Sequence, residues 1–407
     1  MVPKLRFKEF DDCWAQCNIQ DLVNDSVIDK PMDGNHGELH PVSVDYVDNG
    51  IPFIMASDII DGEIDFIGCK KISLKQANSL RKGFSLTGDI LLTHKATIGN
   101  VAIVPELTSP FIMLTPQVTY YRVKNNKKLL NRYIKLFFET PTFIKELTDL
   151  CSGATRPYIG ISEQRKLPFR YSSIEEQTKI ADFLSSVDEK ITLLTKQYNL
   201  LCQYKKGMMQ RFFSQKLRFK DENGEEFPEW NYDEISSLFS NKSKKYNPLS
   251  GTNYPCIELD CISQRDGQLL TTMDSSQQQS IKNIFKKGDV LFGKLRPYLR
   301  KYILATFDGV CSSEIWVLKG ILMNNSYLYQ FVQTDFFINL ANKSTGSKMP
   351  RADWDTISST FVFYPCPEEQ TKIANFLSSH DDKIAAKKAE LDKLKTWKQG
   401  LLQQMFV

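Results

Sequence analysis

Apolar residues recur along this chain with two different periods. Ile180, Leu184, Val187, Ile191, Leu194, Tyr198 and Leu201 follow steps of four and three. Ile373, Leu377, His380, Ile384, Lys387, Leu391 and Leu394, continued by Leu401 and Met405, repeat that spacing. Such steps place side chains on one stripe of a helix, so each run predicts a coiled-coil helix of about 40 residues and roughly 60 Å. Ser173 and Glu176 have the spacing of a capping box before the first helix, and Pro367-Glu368-Glu369 suits the first turn of the second. Elsewhere the pattern is strands and turns. Residues 88–104 (GDILLTHKATIGNVAIV) and 288–304 (GDVLFGKLRPYLRKYIL) each read as two short strands joined by a polar or basic loop, and helical patterns follow at 129–147 and 325–340.

The two periods belong to an internal repeat. EEQTKIADFLSSVDEKI, residues 175–191, returns as EEQTKIANFLSSHDDKI, residues 368–384, with fourteen of seventeen positions identical at an offset of 193 (368 − 175). The same offset carries Gly153 and Pro157 onto Gly346 and Pro350, and Tyr204-Lys-Lys-Gly207 onto Trp397-Lys-Gln-Gly400. LRFK at 5–8 returns at 217–220, and GDILL at 88–92 returns as GDVLF at 288–292. The expected division is a first module at 1–172, a helix at 173–213, a second module at 214–366 and a second helix at 367–407. The fold expected is α+β, with two globular modules at opposite ends of an antiparallel two-helix coiled coil in a pseudo-two-fold, circular arrangement. His380 and Lys387, standing where the first copy has Val187 and Leu194, read either as polar markers of register or as snorkelling residues on a loose seam.

Composition narrows the function. Fifty-two Lys and Arg against 48 Asp and Glu leave a net charge of only +4, so an anion-binding surface has to arise from local clustering. Nine scattered cysteines read as thiols of a reducing compartment; with a charged start and no run of 18 apolar residues, a soluble, cytoplasmic protein is expected. Catalytic patterns are scarce. GDVLFGKL at 288–295 matches G-x-x-x-x-G-K, but Leu295 follows where a P-loop needs a hydroxyl, and the intervening residues are strand-like. His36 with His40, and Cys13 with Cys17, lack a second pair at zinc spacing, and four histidines offer no catalytic triad.

Basic residues mixed with aromatics do recur. Lys282, Lys286, Lys287, Lys294, Arg296, Arg300 and Lys301 face a single acid, Asp289, between residues 282 and 302, interleaved with Phe285, Phe292, Tyr298 and Tyr302. Such a run is either a solvated face or a phosphate-tracking surface. TRPYIG at 155–160 and GSKMPRAD at 346–353 occupy equivalent places before the two helices, with different side chains in similar frames. A two-part reader of different half-sites needs that arrangement.

The order of variable module, EEQTKIA helix, LRFKDENGEEFPEW (217–230, echoed as LRFKEFDDCW at 5–14), second module and second EEQTKIA helix resembles the specificity subunit of type I restriction-modification systems over the whole chain. The resemblance implies a non-catalytic subunit whose modules each recognise half of a double-stranded DNA target while the helices set the spacing. It implies two DNA methyltransferase subunits as partners, with or without two restriction and translocase subunits. S-adenosylmethionine, ATP and Mg²⁺ would be held by those partners, and none by this chain. On this reading His94, Lys95, Thr155 and Arg156 of the first module, and Lys294, Arg296, Arg300, Lys301, Ser347, Lys348 and Arg351 of the second, face DNA. Glu175, Glu176 and Lys190, with their repeats Glu368, Glu369 and Lys383, would receive the methyltransferases. The other reading is a coiled-coil scaffold with two protein-binding modules, whose basic loops are solvated faces.

Overall fold

The two striped segments form helices Ile174–Phe213 and Pro367–Met405 in the computed structural model, which describes residues 2–37, 40–151, 157–250, 253–343 and 350–406. The chain divides into two units, each made of one module and half of each long helix: residues 1–195 with 390–407, and residues 196–389. Within each unit the start of one helix lies against the end of the other. In the first unit Ile180, Leu184 and Val187 share a core with Leu401, Leu402 and Met405. In the second, Tyr204 meets His380 at 5.2 Å between ring centroids and Phe212 meets Phe376 at 5.5 Å, an antiparallel progression.

The stripe does not close on itself alone. Module aromatics complete each core, with Trp14, Tyr133, Phe137 and Phe169 in the first unit and Trp230, Tyr327 and Phe331 in the second. His380 is half-buried and donates from Nδ1 to the Phe376 carbonyl at 2.8 Å, so its polar atom is satisfied on its own helix. Lys387 is half-buried.

Each module is α+β. The first has an antiparallel sheet in the order Met32–Asp33, Val118–Tyr121, Ile90–Lys95, Thr97–Ile103; the second repeats it as Phe239–Ser240, Ile315–Gly320, Val290–Gly293, Tyr302–Leu304. A second, mixed sheet accompanies each, with one parallel pairing: Met113 opposite Phe53, and Cys256 opposite Val310. Helices Asn131–Phe138 and Pro141–Asp149 correspond to Asn325–Phe331 and Asp335–Ala341. The second helix of each pair begins at a threonine, Thr140 or Thr334, whose hydroxyl accepts from the amide three residues on.

The second glutamate and the glutamine of each identical EEQ segment face inward. Glu176 is buried and accepts from Arg6 Nε at 2.7 Å, Arg6 Nη2 at 2.8 Å and Trp14 Nε1 at 3.2 Å. Glu369 repeats this with Arg218 at 3.2 and 2.8 Å and Trp230 at 3.0 Å. The next residue, Gln177 or Gln370, is also buried and bonds three main-chain groups of its own module: Leu130 N, Lys128 O and Ser172 O, or Asn324 N, Leu322 O and Pro365 O. The expectation that Glu176 and Glu369 lie on an outer docking face is corrected by this burial. The capping box is half made, because Ser173 Oγ accepts from Glu176 N at 3.4 Å while the Glu176 carboxylate turns to Arg6. Glu175, Lys190, Glu368 and Lys383 are exposed.

A buried carboxylate deprived of its cation is an uncompensated charge. Arg218→Met is therefore expected to cost about 3–5 kcal/mol of stability in urea unfolding, and Arg218→Met combined with Glu369→Gln considerably less. A loss below about 1 kcal/mol for the single variant would show that the pair carries little.

Candidate nucleic-acid interface

In the first module the strands Ile90–Lys95 and Thr97–Ile103 are joined through Ala96, which turns the chain at φ 67°. The segment entering the first long helix is tied to that turn by main-chain bonds: Ile159 N to His94 O at 3.0 Å and Ala96 N to Pro157 O at 3.3 Å. Lys95 is exposed, with its ammonium 5.7 Å from the ring centroid of Tyr158, itself 48% exposed. His94 is fully buried, and Nδ1 donates to the Ile159 carbonyl at 2.9 Å. Burial lowers its pKa, keeping the ring neutral. His94 therefore braces the 157–159 segment from below, which corrects the expectation of a DNA-facing side chain. Thr155 and Arg156 lie outside the described residues.

The second module builds the same frame with different side chains. Pro297–Leu299 form a single 3₁₀ turn bracketed by Arg296 and Arg300, both left-handed at φ 52° and 53°. A non-glycine residue there costs on the order of 1–2 kcal/mol, so the loop is held by its surroundings. Arg296 N donates to Pro350 O at 2.8 Å, Ala352 N donates to Lys294 O at 2.8 Å, and Leu295 pairs with Arg351. Segment 350–352 thus sits beside 294–296 as 157–159 sits beside 94–96. Ser347 and Lys348 lie outside the described residues.

The basic residues of this loop divide by their partners. Arg296 is exposed and Lys294 half-buried, and neither has an ion-pair partner among the described residues. Arg351 is 60% exposed and 3.1 Å from Glu314, a pair that solvent screens. Tyr298, two residues from Arg296 in the 3₁₀ turn, is 47% exposed. Arg300 instead donates to Gln333 O at 3.4 Å and pairs with Asp335, whose carboxyl that Arg300 bond holds below its usual range. Lys301 donates to Leu259 O at 2.7 Å with its side chain nearly covered. Lys282 is buried, donating to Glu258 at 2.6 Å, Ser280 at 2.9 Å and Gln278 at 3.1 Å. Arg300, Lys301 and Lys282 are thus engaged in holding the module, and beside segments 350–352 and 157–159 the cations open to an anion include Lys294, Arg296 and Arg351 here and Lys95 in the first module.

Both sites therefore offer a cation and an aromatic ring on a main-chain scaffold, a surface suited to phosphates and base edges. Tyr158 was visible in the sequence only as a member of a basic loop; its position beside Lys95 comes from the fold. Among the described residues, no group of three or more His, Cys, Asp and Glu could hold a metal ion, and no helix is long and apolar enough to cross a membrane.

A family model described as "Type I restriction modification DNA specificity domain" matches residues 37–203 and again 228–396, one copy for each module with its helix. The type I restriction enzyme MjaIX specificity subunit of Methanocaldococcus jannaschii is 20% identical over 381 residues, covering 89% of this chain and 87% of that protein. The type I restriction enzyme EcoDI specificity subunit of Escherichia coli is 24% identical over 265 residues, 56% of this chain and 58% of that one. Among solved structures, the S subunit of a type I restriction-modification system from M. genitalium shares the fold with a TM-score of 0.58 at 16% identity, covering 100% of this chain and 99% of that chain.

The division of the loop cations has a direct test. Arg296→Gly keeps the left-handed turn and removes an unpaired guanidinium, so stability should be unchanged or about 1 kcal/mol higher, while DNA affinity falls and the salt slope drops by about 1 if the contact is to phosphate. Arg300→Gly breaks the Asp335 pair and should lower the melting temperature instead. Equal effects of the two variants on DNA binding would refute the division.

Proposed function

This chain belongs to the type I restriction modification DNA specificity family, and we propose that each of its modules reads one half of a bipartite duplex target while the long helices set the distance between the halves. It is a non-catalytic DNA-recognition subunit with two recognition domains, and it acts in a complex with DNA and other subunits. The observation that carries the proposal is the repeated frame: segments 157–159 and 350–352 are fixed to equivalent loops by main-chain bonds, yet present Lys95 and Tyr158 in one module and Lys294, Arg296, Tyr298 and Arg351 in the other. Equal frames with unequal side chains bind similar backbones and different bases.

The partners proposed are two methyltransferase subunits, with or without restriction subunits, and they would carry S-adenosylmethionine, ATP and Mg²⁺. The exposed Glu175 and Lys190, with their repeats Glu368 and Lys383, provide two equivalent polar faces for two identical partners.

Two measurements check this reading. Replacing residues 9–171 by the first module of another family member should change one half of the methylated sequence and leave the other half intact; a change in both halves would contradict independent reading. Adding a heptad after Leu194 together with one after Lys387 should lengthen each helix by about 10 Å and shift methylation to a longer spacer between unchanged half-sites. An unaltered spacer in that double insertion would contradict the role of the helices as a ruler.

A further inference from the structure

Each unit contains a nearly buried lysine that the recognition loops do not use. In the first unit Lys398, 12% exposed, lies on the second long helix and reaches Asp188 of the first helix at 2.7 Å and Glu139 of the module at 2.8 Å. In the second, Lys205, 8% exposed, lies on the first long helix and reaches Asp381 of the second helix at 2.5 Å and Gln333 of the module at 2.9 Å. The repeat offset relates them, since 205 + 193 = 398 and 188 + 193 = 381. Glu139 and Gln333 occupy the same place, just beyond the first helix of each module's helical pair. One ammonium therefore joins three elements, and it does so twice.

We propose that Lys398 and Lys205 are positioning residues that fix the angle at which each module is carried by the helix pair, and so determine which spacing between half-sites the chain accepts. This rests on the reading of the helices as a ruler. A ruler discriminates only if its joints are stiff, because a module free to tilt would follow half-sites placed one base pair nearer or farther. Apolar packing resists separation but tolerates sliding, whereas a buried ammonium has three donors and fixed acceptors. Tilting the module away would leave that charge without its module acceptor in a place water reaches poorly. The joint thus has one favourable setting.

The two joints differ in charge. Lys398 faces two carboxylates, and Glu139 is bound in turn by Lys135 at 2.8 Å. Lys205 faces one carboxylate and the neutral Gln333, with Gln330 Nε2 donating to Asp381 at 3.1 Å. Burial depresses both ammonium groups; it prevails at Lys205, whereas Glu139 and Asp188 overcome it and raise Lys398. The first joint is the stiffer.

The test uses the full chain in complex with its methyltransferase partners and duplexes carrying the two selected half-sites at varied separation. Lys398→Met keeps the side-chain stem and removes the charge. It should reduce the preference for the best spacing over its neighbours by about tenfold, with both half-site sequences unchanged, and Lys205→Met should do so less. Lys398→Arg should restore part of the preference. Should Lys398→Met fail to fold, Glu139→Gln supplies the residue the other module uses at that place and should loosen spacing about threefold without loss of the complex. A lower melting temperature with spacing preference unchanged in these variants would overturn the proposal, leaving the lysines as structural supports. A wild-type complex that methylates without a bipartite sequence would overturn the underlying reading of function, a separate outcome.

Discussion

A carboxylate sealed from water is tolerable only where cation and N–H donors are already in place, and this requirement organises both halves of the chain. Glu176 and Glu369 each stand in the first turn of a long helix and gather an arginine and a tryptophan from the strand-leading segment at the start of their own module. The bond therefore closes each module on itself, joining residues more than a hundred positions apart. The adjoining glutamine fixes the main chain that leads into the module's helical pair, so helix start and helical pair are located from one point. That the Glu-Gln pair is identical in the two copies follows from this burial, since neither side chain could change alone without stranding a charge or an amide.

On that frame the loops are held by their backbones. The bonds between 157–159 and 94–96, and between 350–352 and 294–296, are main-chain bonds and make no demand on side-chain identity. Side chains at the loop surface are left unconstrained by the frame, while charges that must be covered, such as Lys282 and Lys301, are matched to acceptors in the module. A chain of nearly balanced charge can thus present local cations without a strongly basic composition.

The long helices, the strand pairs and the repeat were legible because period and identity are local properties of sequence. The roles of individual charges were not, because they depend on distant acceptors. Glu176 read as an exposed first-turn residue; only Arg6, 170 positions away, shows otherwise. Lys282 and Arg300 read as part of one basic run, although Glu258 and Asp335 had already claimed them. His94 lies in a strand whose residues are buried on both faces, so no alternation told inward from outward. Lys205 and Lys398 were visible as a repeated identity, but nothing in the sequence joined them to Gln333 and Glu139.

The division of the long helices between units has a consequence for how the molecule is made. Residues 196–389 are continuous, so the second unit has its whole core once they have left the ribosome. The first unit begins earlier and finishes last: its core of Trp14, Tyr133 and Phe137 stays open until Leu401, Leu402, Met405 and Phe406 arrive. Vectorial synthesis ordinarily completes the N-terminal domain first, and here that order is reversed. The half-built first module therefore has an exposed apolar face throughout the synthesis of its twin, until the last turns of the second long helix bring Leu401, Leu402 and Met405 to its core.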